Sequence, residues 1–189
     1  MSMSFLDRKT LKSTLCEAVY EAWNAFKQEY PRDKVYGLGL YSSEVAGYIG
    51  MTVFSEEGLD AVASEYAVRS GRELESEKPA LKWSPCDSPH HMWCEELFDK
   101  AQEVLDAAPD PYDDDTNNEE RVVGAFEVFV DVLRTLDTEG TFGSGRSTMV
   151  LSVWVGDQSD EERIDYVQRL NPLELVERFE AELELAIKT

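Results

Sequence analysis

The sequence predicts an α+β fold in which several helices pack a small, mainly antiparallel sheet. Three observations point there. Two short strand-like segments near residue 40 are joined by a turn-rich connection, several longer stretches carry helical spacing, and one late segment, MVLSVWV, is apolar on both phases. Strands grouped early with helices around them argue against an alternating, doubly wound sheet. A chain of 189 residues fits a single domain spanning residues 1–189.

Residues 4–30 form the first expected helix, because Leu11, Leu15, Ala18, Ala22 and Phe26 fall on one stripe and Pro31 ends it. Val35 to Tyr41 and Tyr48 to Phe54 read as a hairpin through SSEVAG. Gly37 and Gly39 share a phase of the first strand and leave one face bare, so that a packed element or a ligand can approach the backbone closely. Ser55 starts a helix with Leu59, Val62, Ala63 and Tyr66 on its apolar face. A polar loop through Gly71 and Pro79 leads to ALKWSP, a short strand candidate stopped by Pro85. From His90 to Ala107 helical spacing returns through Trp93, Leu97, Ala101 and Leu105.

APDPYDDDTNN, residues 108–118, is a loop by composition. Glu119 to Leu136 gives the clearest helix, with Val122, Phe126, Phe129, Leu133 and Leu136 at steps of four and three and Gly140 as its stop. MVLSVWV, 149–155, is expected as a central strand covered on both sides or by helices on one side. Two helices close the chain. The first is capped by Ser159 or Asp160, the second by Asn171 with Pro172 at its first position.

The charge limits the partners. With 39 acidic against 18 basic side chains the net charge is −21, and phosphate lattices and anionic membranes are bound by clustered Lys and Arg. Nucleic acid and membrane are therefore not expected, whereas a basic protein is permitted and its encounter would be accelerated. Cys16, Cys86 and Cys94 are an odd set that does not read as a disulfide framework, and MSMSFLDRKTLK lacks the apolar run of a signal peptide, so a cytoplasmic location is expected.

Candidate chemistry concentrates in WSPCDSPHHMWC. Cys86, His90, His91 and Cys94 lie within nine positions, not on two separate segments as a structural zinc site usually has them, and no metal or cofactor is expected. A thiol held as thiolate by a neighbouring imidazole would make Cys86 or His90 the reactive group of an enzyme built around Trp83 to His91, yet no orienting third group or oxyanion motif is legible. GTFGSGR, residues 140–146, follows a helix and leads into a strand, the reverse of a phosphate-binding loop. Asp113, Asp115 and Asn117 have the alternate spacing of a calcium loop, but Asn118 and Gly124 stand where that loop needs Gly and Glu. The acidic run Asp110, Asp113, Asp114, Asp115, Glu119 and Glu120 is the expected contact surface for a basic partner. On that reading, neutralising Asp113, Asp114 and Asp115 weakens binding more than neutralising Glu180, Glu182 and Glu184.

VYGLGLYSS, LKWSP, LDTEGTFG and RLNPLELVERF, in that order from about Lys34 to Phe179, resemble the bacterial domain-of-unknown-function family 4303. The signatures are Trp83-Ser84-Pro85, Asp137 to Gly143, and Asn171-Pro172. After Pro85 the chain has Asp87, Ser88, Pro89 and His90 where such proteins often carry a second tryptophan. The family has no established catalytic residues to carry over. Similar small acidic bacterial proteins are often encoded beside polymorphic toxins as immunity partners, so the resemblance implies a binding protein that neutralises a toxin domain by covering its active site. Fold likeness does not fix function. The enzyme around Trp83 to His91 stands as the alternative.

Overall fold

The structure, a computed structural model, describes residues 6–109, 118–143 and 146–187. Helix α1 (Arg8–Glu29) begins where the Asp7 carboxylate accepts from the Thr10 amide at 3.0 Å, and those bonds to Thr10 hold the Asp7 carboxyl below its usual range. Its expected stripe is buried, extended by Val19 and Trp23. The hairpin forms from β1 (Val35–Ser42) and β2 (Gly50–Ser55) in antiparallel register. Ser55 caps α2 (Glu56–Ser70) by accepting from the Gly58 amide, and Gly71 closes that helix with φ 73°, a left-handed geometry that glycine adopts without Cβ strain.

The next forty residues depart from the expected pattern. The stretch read as a polar loop holds a short helix, α3 (Leu74–Leu81), with Pro79 inside it. Glu77, buried, accepts from the Ser70 hydroxyl at 2.6 Å and ties α3 to the end of α2. ALKWSP is therefore no strand: its first half ends α3, and Pro85–Asp87 is a 3₁₀ turn. His90 to Ala107 is not one helix either. It divides into β3 (His90–Trp93), a 3₁₀ turn (Glu95–Phe98) and α4 (Asp99–Asp106). The helical spacing from Leu97 onward is genuine, but pairing of His90 and Trp93 with Val53 and Met51 of β2 overrides it at the start.

Helix α5 (Asn118–Thr138) is where the periodicity places it, and Gly140 follows with φ 79°. Strand β4 (Val150–Val155) pairs with β1 in parallel. The sheet order is β3-β2-β1-β4, so two pairings are antiparallel and one is parallel, and the sheet is mixed. β4 also lies at the edge, not in the centre. Its two apolar phases are still both buried: Leu151 and Val153 join the core beneath α1 and α5, while Val150 and Trp154 join the opposite core beneath α2 and the last helix, Leu173–Ile187. Among the described residues no helix is long and apolar enough to cross a membrane.

The edge of β4 is closed by side chains. Helix α6 (Asp160–Leu170), capped by a reciprocal Ser159–Glu162 box, runs beside it and leads to Asn171. The Asn171 amide accepts from the Leu151 N–H at 2.8 Å and donates to the Leu151 carbonyl at 2.7 Å, doing for β4 what a neighbouring strand would do. Asn171 is thus not the side-chain cap of α7 (Leu173–Ile187). The first turn there is received by the Pro172 carbonyl.

Candidate functional site

The bare stripe of β1 is filled by indole rings. A methyl group on Gly37 would lie 2.6 Å from Cζ3 of Trp83, and one on Gly39 would collide with the Ser152 carbonyl and the Trp154 ring. Trp83 and Trp154 stack at 6.0 Å between ring centroids, with Tyr36, Phe54 and Phe179 edge-on to Trp83. The Trp83 indole N–H donates to Glu182 at 2.9 Å, and Lys82 binds the other oxygen of that carboxylate at 2.9 Å. Glu182 is therefore a structural anchor and no neutral control for surface charge. Trp83 is 3% exposed, and the cavity bordering Asp87 to Pro89 measures about 10 Å³, room for about one water.

Strand geometry separates the Cys/His cluster. Because neighbours on a strand face opposite sides, His90 is buried among Phe26, Tyr30 and Trp93, whereas His91 turns to Tyr41 and sits 3.0 Å from the Thr52 hydroxyl. Burial pushes His90 below its ordinary 6.5, with Asp33, 3.8 Å from its Nε2, pulling the other way. Cys86 is exposed, with Sγ 3.5 Å from the Tyr41 hydroxyl, and burial raises that hydroxyl's pKa. Burial likewise raises the Cys94 thiol. No hydrogen bond joins Cys86 to His90, and among the described residues no group of three or more His, Cys, Asp or Glu is placed to hold a metal ion.

The glycine-rich stretch delivers a structural arginine. The Arg146 guanidinium forms a two-point bond with Asp137, both arms at 2.9 Å, and donates to Asn171 and the Leu170 carbonyl. Asp137 and Asn171, from two separate signatures, thus meet on one side chain. A pocket of about 390 Å³ beside it is lined by Trp23, Phe26, Tyr30 and Phe142, but the donors of Arg146 are already engaged.

An open site lies at the carboxyl end of the parallel pair. There a cleft of about 490 Å³ is lined by Glu44 from the turn after β1, Asp157 from the turn after β4, and Glu161, Glu162 and Asp165 from α6. Phe126, Val155 and Tyr166 supply its apolar surface, and among the described residues neither Lys nor Arg lines it. Glu162 is engaged in the cap with Ser159, which lowers its pKa, and Asp165 lies 3.9 Å from Arg169. Glu44, Asp157 and Glu161 form no ion pair among the described residues. Sequence reasoning missed this cleft. The only local signal is the acid-rich start of α6, which a helix N-terminus explains by itself.

Of the acidic residues expected to meet a partner, Asp110, Asp113, Asp114 and Asp115 lie outside the described residues, as do the calcium-like positions Asp115 and Asn117. Glu119 and Glu120 are exposed in the first turn of α5. Arg121, buried, donates to the Val45 carbonyl at 2.8 Å and to the Leu105 carbonyl at 3.2 Å. It pins the acidic start of α5 against the turn that carries Glu44. Phe126 stands seven residues beyond Glu119, on the same side of the helix. Glu119 and the cleft therefore belong to one end of the molecule.

A family model described as Domain of unknown function (DUF4303) matches residues 15–172, and the chain belongs to that family. No curated protein and no solved structure matches it.

Proposed function

We propose that this protein is a cytoplasmic binding protein of the immunity, antitoxin-like kind, which neutralises a basic toxin domain by direct contact through its acidic end. The observation that carries the reading is the cleft at the end of β1 and β4, lined, among the described residues, by five carboxylates and by no cation. Carboxylates gathered from three elements repel one another, and a cationic partner relieves that repulsion while completing their ion pairs. The net charge of −21 adds a long-range field that draws such a partner in and falls away with salt. The free thiols suit a reducing compartment.

The second reading, an enzyme working through Cys86 or His90, has one observation in its favour: Cys86 is exposed and sits 3.5 Å from Tyr41, whose ring meets His91 edge-on. Co-expression with the product of the adjacent gene separates the two. On the binding reading that product is toxic alone and harmless beside this protein, and protection survives Cys86→Ser and His90→Gln. Protection abolished by Cys86→Ser in a normally folded protein would favour the enzyme.

A further inference from the structure

Strand β3, four residues long, is the shortest in the sheet and lies at its edge. It pairs with β2 at Val53–His90 and Met51–Trp93, with an irregularity between the two positions. Met92 and Cys94 both stand at φ 52°, the left-handed region that residues other than glycine adopt rarely. Buried side chains hold the strand instead. The Trp93 indole N–H donates to the Ala22 carbonyl of α1 at 3.1 Å, and the His90 ring lies 4.9 Å from Phe26 and 4.6 Å from Tyr30.

The His90 site has no place for a second proton. Nδ1 is buried without a hydrogen-bond partner among the described residues, and Nε2 is 3.8 Å from Asp33 Oδ2, too far for a hydrogen bond. That same oxygen accepts at 2.9 Å from the Ser55 hydroxyl, which caps α2. An imidazolium brings two N–H donors and a charge into this space: Asp33 can meet one donor by giving up Ser55, and the other has no acceptor. The charged groups acting on the ring are Asp33 and, at the end of α1, Glu29; both favour the charged form, and burial outweighs them. Tyr30 stays neutral, its hydroxyl held above the ordinary 10. Phe26, Val53 and Trp93 bring no charge, and His91, the other titratable side chain of β3, turns to the opposite face.

We propose that β3 is an acid-released edge strand: protonation of His90 detaches it from β2 and uncovers the edge of β2 while the rest of the sheet stays folded. In the detached strand the ring regains water and both donors are satisfied. Above the ordinary 6.5 the ring is neutral in both forms and the strand stays closed. Below it, each pH unit favours opening by up to about tenfold until the closed form itself takes up the proton. The device is independent of the acidic cleft and of the binding reading.

The test is NMR-detected hydrogen exchange of the isotope-labelled full-length chain between about pH 7.5 and pH 5.5, each rate divided by the intrinsic rate at that pH. The probes are the backbone amides of β3 and the Trp93 indole N–H, compared with the Leu151 N–H that Asn171 holds on β4. The β3 probes should exchange about a hundredfold or more faster than Leu151 at both ends of the range, and accelerate about five- to tenfold on acidification. His90→Gln should abolish the acceleration and His91→Gln should leave it. Should His90→Gln not fold, the ¹³C shift of the His90 imidazole in the native chain decides: a midpoint below 6.5 supports the proposal, and one at or above 6.5 overturns it. Exchange of β3 at the Leu151 rate, a rate indifferent to pH, or an acceleration lost in His91→Gln and kept in His90→Gln overturns it equally.

Discussion

The sheet face under Gly37 and Gly39 is closed to the limit: two indoles occupy the space that two side chains would have taken, and the Trp83 N–H is satisfied by Glu182. The cleft at the end of β4 is the opposite, an open surface where Glu44, Asp157 and Glu161 form no ion pair among the described residues. The comparison separates residues that pack from residues that, on the proposed function, meet a partner. Trp83-Ser84-Pro85, the most conspicuous motif in the chain, belongs to the first kind, and the carboxylates, which form no motif, belong to the second.

The closed face should be fragile. Trp83→Ala removes a buried ring that touches four aromatic neighbours and should cost about 3–5 kcal/mol in denaturant unfolding. A Trp83→Ala protein with the native midpoint would show that the face is not packed as described. On the other face of the sheet Leu151, fully buried on β4, should cost about 2–5 kcal/mol as Leu151→Ala. An unchanged unfolding midpoint there would deny β4 its place between two cores.

Smaller, and specific to acid, is the effect of His90. Its folded-state pKa lies below the ordinary 6.5 because burial disfavours the charged ring. Above pH 6.5 both folded and unfolded chains hold it neutral. As pH falls below that value the unfolded chain takes up the proton first, so stability declines by at most about 1.4 kcal/mol per pH unit for this one group. His90→Gln should flatten that part of the stability profile between about pH 6.5 and pH 5, measured as the difference in unfolding free energy against the native chain. A steeper profile in the variant would mean that the Asp33 contact outweighs burial.

Much of this architecture was legible because its signals are local. The stripe from Leu11 to Phe26, the run from Glu119 to Leu136, the Ser55 cap and the hairpin each depend on neighbours a few residues apart. What was not legible depends on distant pairing. His90 to Trp93 carries a helix-compatible sequence and becomes a strand only because β2 offers an edge. Two-phase apolarity in β4 reports burial of both faces but says nothing of its neighbours, so its edge position and the role of Asn171 as a surrogate strand were hidden. Pro79 disguised α3. Nothing local links Glu44 to Glu161, and so the cleft emerged only with the fold, while attention in the sequence fell on the acid-rich segment before α5.

On the proposed function, charge at the cleft end matters where equal charge elsewhere does not, and the association rate with the proposed basic toxin partner tests that claim most directly. Three forms should be compared across salt: the native chain, Glu44→Gln/Glu161→Gln/Asp165→Asn, and the charge-matched Glu73→Gln/Glu174→Gln/Glu177→Gln. Both variants should fold with stability within about 0.5 kcal/mol of the native chain, since exposed carboxylates contribute little. At low salt the cleft variant should associate about tenfold more slowly with a shallower salt dependence, and the matched variant by less than about twofold. Equal slowing of the two variants would mean that only the total charge matters and that the cleft is an ordinary acidic surface.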